Sequence, residues 1–175
     1  MVIDLTNVLT GSERVLNKEI PFPMATIAME GRNYRVLEAS DVHVHIVGVS
    51  ERELLIEGHA ELTIELVCDR CLEPVNREFS LSFSHPISLD DKDAVHNEDM
   101  HEANYVDGYK LDVDRLLFNE ILVGWPSKVL CKEDCKGLCN TCGQNLNEGT
   151  CDCEDTGLDP RMSVIRDLFN KNKEV

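Results

Sequence analysis

The chain has 175 residues, of which 42% are hydrophobic, 29% charged and only 5% aromatic. That composition supports one globular domain with a core of Val, Ile and Leu, and excludes a disordered or low-complexity chain. The net charge of -16, from 33 acidic and 17 basic residues, excludes broad electrostatic binding to nucleic acid, which depends on clustered Lys and Arg.

The first twenty residues carry Asp4, Glu13, Arg14, Lys18 and Glu19 and no apolar run, so no secretory signal is expected. Residues 2–5 and 25–30 have the composition of short strands. From 40 to 88 the pattern is a period of two. Val42, Val44 and Ile46 alternate with His43 and His45; Leu62, Ile64 and Leu66 alternate with Glu61, Thr63 and Glu65; Phe79, Leu81 and Phe83 alternate with serines. Gly48, Ser50 and Glu51 mark a turn before Leu54-Leu55-Ile56. Antiparallel hairpins with one solvated face produce this alternation. Residues 90–108 then become polar and acidic: Asp90, Asp91, Asp93, Glu98, Asp99, Glu102 and Asp107 surround His96 and His101. This reads as a solvated loop rather than a metal site.

A helix is expected over 112–125. Asp112 can cap it, Leu116, Leu117, Ile121 and Leu122 form its apolar stripe, and Pro126 ends it. A second helix is expected after Asp159-Pro160, with Met162, Ile165, Leu168 and Phe169 on one face. The expected fold is therefore α+β: an antiparallel, curved or barrel-like sheet with two helices and a C-terminal cysteine-rich zinc module. The expected division is a β domain over 1–126, containing acidic loop 90–108 and helix 112–125, and a metal module with the terminal helix over 127–175.

The eight cysteines come in close pairs: Cys68 and Cys71 at the end of a strand, then Cys131 and Cys135, Cys139 and Cys142, and Cys151 and Cys153. No stretch approaches the roughly 18 apolar residues of a membrane span, so a cytoplasmic protein is expected. In that reducing compartment such spacing points to metal ligation rather than disulfides. Residues 136–150 offer only Leu138 and Leu146 as clear apolar anchors. Metal ligation can supply the missing folding free energy, on the order of 10 kcal/mol in finger peptides.

Short loop closure favours Cys139, Cys142, Cys151 and Cys153 as one tetrathiolate zinc site. Cys68, Cys71, Cys131 and Cys135 would form a second. A single site from Cys131, Cys135, Cys139 and Cys142 is an alternative, and so is an iron–sulfur cluster in place of zinc. For Cys68 and Cys71 alone, buried unligated thiols or a redox pair are further alternatives. The redox reading needs an activating environment, and Asp69 and Glu73 oppose it.

The segment Val67-Cys68-Asp69-Arg70-Cys71-Leu72-Glu73-Pro74-Val75 resembles the C-x-R-C-L-x-P signature of the bacterial YceD-like family. The tail resembles it as well: Cys135-Lys136-Gly137-Leu138-Cys139, Cys142-Gly143-Gln144-Asn145-Leu146-Asn147, Cys151-Asp152-Cys153 and Asp159-Pro160-Arg161. Asn140 departs from it, standing where the family often has Pro. The resemblance implies a role in large-subunit ribosomal RNA synthesis, processing or accumulation, and a non-catalytic factor is expected. It carries over no catalytic residue.

The acidity of the chain points to a protein partner, either a basic ribosomal protein or another assembly factor, with ribosomal RNA as a further possibility. Arg70, Lys132, Lys136, Arg161 and Arg166 are the expected contacts to partner or RNA. A zinc-bearing nucleic-acid regulator and a thiol oxidoreductase or ribonuclease are the alternative functions. The first lacks a basic face; the second lacks preorganised groups for catalysis.

Overall fold

The computed structural model describes residues 1–29, 31–89 and 105–153. In chain order the elements are β1 (Val2–Asp4), α1 (Thr6–Leu9), β2 (Val15–Ile20), β3 (Thr26–Met29), β4 (Arg32–Ala39), β5 (Val42–Gly48), β6 (Glu53–Val67), β7 (Pro74–Ser88), β8 (Val106–Asp107), β9 (Lys110–Asp112) and α2 (Val113–Val123). The described chain is mostly sheet, curled into an antiparallel half-barrel, with few helical residues.

The centre of the sheet is the β6–β7 hairpin, fifteen residues in each strand, paired without interruption from Glu53 opposite Ser88 to Val67 opposite Pro74. The apolar set Leu54, Ile56, Leu62, Ile64 and Leu66 alternates along β6, and Phe79, Leu81, Phe83 and Ile87 along β7. Both sets therefore fall on one face, which becomes the core. The alternation is interrupted at Gly58. A Cβ there would lie 2.5 Å from the Phe83 ring and 2.7 Å from the His43 carbonyl, so glycine is what lets that ring cross the strand.

β5 and β4 both pair antiparallel with β6, β5 at residues 54–59 and β4 at residues 62–65. Between them, Ser40 N donates to the Glu61 carbonyl and Ser40 Oγ accepts from Glu61 N. A register shift between Val36 and Glu38 bends β4, and bulges of this kind increase twist and curl. The outer strands are β2, paired with β5, and β3, paired with β4. A separate small sheet in the order β1-β9-β8 completes the architecture.

α2 covers the core face with Val113, Leu116, Leu117 and Ile121. Its start is fixed as expected: the Asp112 carboxylate accepts from Asp114 N and Arg115 N. It ends at Val123, with Gly124 as the cap, so the helix stops before Pro126. The short α1 adds Val8 and Leu9 to the core. The two helices of the described chain are thus α1 and α2. The helix expected after Asp159 lies outside the described residues, as does most of acidic loop 90–108. Among the described residues no helix is long and apolar enough to cross a membrane.

Candidate metal centres

The β6–β7 hairpin does not close on an ordinary turn. Its loop, residues 68–73, is a thiol-bearing knuckle. Cys68 N donates to the Glu73 carbonyl (2.8 Å), and Leu72 N donates to the Cys68 carbonyl (3.0 Å). The same bonds recur at residues 139–144: Cys139 N donates to the Gln144 carbonyl (2.8 Å) and Gly143 N to the Cys139 carbonyl (2.9 Å). The left-handed residue after the second cysteine recurs too, with φ 62° at Leu72 and 76° at Gly143. Gly143 adopts that backbone freely, whereas Leu72 holds it against the clash of its Cβ. The two knuckles are one structural unit used twice.

Each knuckle supplies two thiols to a group of four. Cys68 and Cys71 meet Cys131 and Cys135; Cys139 and Cys142 meet Cys151 and Cys153. Within each group the sulfurs all lie within 4.8 Å of one another. Cys68 Sγ is 3.8 Å from Cys135 Sγ, and Cys71 Sγ is 3.5 Å from Cys131 Sγ. Four thiolates bound tetrahedrally at the usual Zn–S length would be separated by about 3.8 Å. Donor number, donor type and spacing therefore all fit a single ion, and each group can hold one. The structure sets Cys131 and Cys135 with the hairpin loop rather than with Cys139 and Cys142.

The first group is a seam between distant parts of the chain. The segment after α2 is fastened to the knuckle by a reciprocal pair: Asp69 N donates to the Val129 carbonyl (2.9 Å), and Val129 N donates to the Asp69 carboxylate (2.7 Å). Arg70 Nη1 donates to the Cys135 carbonyl at 2.7 Å. Cys68, Cys71 and Cys135 are buried, against Val75, Leu130 and Leu138.

The second group is built within residues 139–153, and its thiols are exposed or half-buried. It is attached to the first through residues 137–147. Leu138 N donates to the Arg70 carbonyl, Leu138 bridges to Asn145, and Leu146 N donates to the Gly137 carbonyl. Asn145 Nδ2 donates to Glu73 (2.7 Å), and Asn147 Nδ2 points at Cys135 Sγ (3.4 Å). Gly137, at φ 79°, lies so close that a Cβ would sit 3.0 Å from the Arg70 carbonyl.

The electrostatics differ from thiol to thiol. Burial alone would raise Cys68, but the backbone N–H groups of Cys71, Arg70 and Cys131 outweigh it and hold the thiol at about 6. The N–H groups of Cys142 and Thr141 bring Cys139 to about 6. Their neighbours move the other way: Cys71 pushes Cys131 up to about 12, and Cys142 pushes Cys153 up to about 12, with burial adding to both. In the first group Cys135 is lowered too, its burial outweighed by hydrogen bonds from the Asn147 amide and the Gly137 N–H. Each group thus favours some thiolates and resists the others, because like charges so close repel. A bound cation removes that conflict.

Of the expected contact residues, Arg70 is engaged with the Cys135 carbonyl, while Lys132 and Lys136 are exposed beside the first group. Arg161 and Arg166 lie outside the described residues. The latch residues Asp69, Asn145 and Asn147 gave no signal in periodicity or charge, because their roles depend on segments brought together only by the fold.

A model of the family described as "Large ribosomal RNA subunit accumulation protein YceD" matches residues 56–169, a span that holds every cysteine above. An uncharacterized protein of Mycobacterium tuberculosis is 25% identical over 134 residues, covering 77% of this chain and 64% of the relative. One of Mycobacterium leprae is 26% identical over 143 residues, covering 78% and 62%. The chain thus spans less than two thirds of the length of these curated relatives. No solved structure matches it. The family match takes in both knuckles and more than half of the chain: the chain belongs to the YceD family of large ribosomal RNA subunit accumulation proteins.

Proposed function

We propose that the protein is a non-catalytic assembly factor that supports large-subunit ribosomal RNA accumulation through a protein partner, with a structural zinc ion in each thiol group. The observation that carries this reading is the pair of four-thiol groups lying within the family match. Tetrathiolate sites of this closed form take zinc in a structural role and leave no open position for chemistry. A multi-iron cluster needs its thiolates spread more widely than a single ion does, so the 3.5 and 3.8 Å sulfur spacings favour one ion per group.

The bound ion supplies the cross-link that a coreless segment lacks. The chain's own residues do the rest. Asp69, Arg70 and Val129 align the seam, and Asn145 and Asn147 dock the second knuckle on the first. The acidic balance of the chain favours a basic partner, such as a ribosomal protein or an assembly factor. Lys132 and Lys136, with Arg161 and Arg166, are the positive groups of the C-terminal part that would contact partner or RNA.

The test is co-purification from cells, with zinc, iron and sulfide measured on the same sample. About two zinc ions per chain and a co-purifying basic protein of the large subunit are expected. Loss of the protein should lower large-subunit relative to small-subunit ribosomal RNA. Tight, salt-sensitive binding to naked ribosomal RNA without any protein partner would overturn the proposal, as would stoichiometric iron with sulfide.

A further inference from the structure

The outer face of the sheet carries a feature unrelated to the cysteines. Two neighbouring rows of side chains cross four strands in register. One row runs Glu19, His43, His59, Ser82, and the other Asn17, His45, Glu57, Ser84. Three of the six histidines of the chain therefore fall on one small patch. A surface cavity of about 660 Å³ lies over these residues.

The His43 and His59 rings stack at 4.6 Å between centroids, 15° from parallel. His43 Nε2 is 3.9 Å from a Glu19 carboxylate oxygen. His45 Nδ1 is hydrogen-bonded to Asn17 Oδ1, and Glu57 accepts from Ser84 Oγ at 3.1 Å. Side chains directly opposite on antiparallel strands have Cβ atoms roughly 5 Å apart, within chelating reach of one ion. Exposed rings turn about their side-chain bonds without disturbing the core.

We propose that this patch is a third metal site, taking one divalent transition-metal ion such as zinc through His43, His59 and Glu19, with His45 beside them. Neutral imidazole and carboxylate suit ions of this class. The charged groups facing the site are Glu19 from β2 and Glu57 from β6; Lys18 lies opposite core-facing Val44, on the other face, and β7 contributes Ser82 and Ser84. The two carboxylates flank the imidazoles and match a dication. The site is open to solvent, so its ion exchanges freely, unlike one enclosed by four thiolates. The sheet then binds metal reversibly, beside a module that holds it structurally.

The test is equilibrium dialysis of purified, zinc-loaded protein against further Zn²⁺ at pH 7.5, comparing the natural chain with His43→Ala/His59→Ala. Both positions are exposed, so the variant keeps its fold, and the comparison is unaffected by what the thiols hold. The natural chain is expected to bind one ion more per molecule. Glu19→Gln should weaken that ion several-fold. Its affinity should fall as the pH is lowered, because protons compete with the ion for the imidazole nitrogens. In the same titration the imidazole C–H NMR signals of His43 and His59 should move together, while those of His85, which is paired with Glu120, stay fixed. Equal ion counts in the two proteins, or imidazole signals indifferent to zinc, would overturn the proposal.

Discussion

The two thiol groups share a knuckle but not a setting. In the first, the knuckle is the loop of the β6–β7 hairpin and its partners arrive from beyond α2, 60 and 67 residues later in the chain for the two closest pairs; three of its four thiols are buried. In the second, both halves come from residues 139–153 and the sulfurs face solvent in part. One motif thus does two jobs. Closing a long loop restrains the whole chain, whereas closing a short one mainly shapes the segment between its ends. The first group should govern how the tail is joined to the sheet, and the second only the form of the tail.

The strongest test of that contrast is to remove one ligand from each. Cys135→Ser should abolish binding at the first group and loosen the second, whose docking residues rest on Arg70 and Glu73. Zinc content should fall from two ions toward one or none, and the unfolding free energy by about 3 kcal/mol or more, given the scale of structural zinc binding. Cys142→Ser should remove one ion and leave the melting of the sheet nearly unchanged. Metal analysis and denaturant melts report both, and equal losses of stability would break the contrast.

A kinetic version follows from exposure. A thiol-modifying reagent should release zinc in two phases, the first at least tenfold faster, and mass mapping should place the early modification on Cys142. Early modification of Cys131, the exposed thiol of the first group, would reverse the assignment.

Arg70→Ala should destabilise the protein by about 1–2 kcal/mol, because the buried Cys135 carbonyl loses its donor. Asn147→Ala should cost about 1 kcal/mol and should increase zinc exchange at the first group, whose Cys135 sulfur loses a donor, more than at the second. Denaturant melts and zinc-exchange rates check both. The smallest effect sharpens the likeness rather than the difference. Leu72→Gly relieves the left-handed strain that Gly143 never carries. Its gain should be under about 1 kcal/mol, since glycine also frees the unfolded chain. A loss in the same melts would show that the Leu72 side chain supports the knuckle.

Much of this was legible in the residues. The alternation of Val42, Val44 and Ile46, and of Leu62, Ile64 and Leu66, placed the buried face of the sheet, and Asp112 marked the start of α2. The short loops between paired cysteines made the second thiol group easy to draw. β2 and β4 were not legible. Asn17, Lys18 and Glu19 leave β2 without a clean period, and the bulge at Val36 and Glu38 breaks the alternation of β4. The continuity of β6 was hidden as well, because Gly58 removes an apolar side chain from the middle of the strand. The equivalence of the two knuckles was masked by the different residues, Leu72 and Gly143, that serve the same backbone. The seam through Asp69, Val129 and Arg70 is a product of tertiary folding and has no local signature.

The placement of one knuckle at the tip of the long hairpin bears on the order of events during synthesis. Cys68 and Cys71 leave the ribosome well before Cys131 and Cys135 exist, so β5, β6 and β7 can pair while the first knuckle is half complete. The nascent chain therefore presents a two-thiol fork that is satisfied only after α2 has emerged. A metal ion taken up by the first group at that point would join the last-made segment to a sheet already formed.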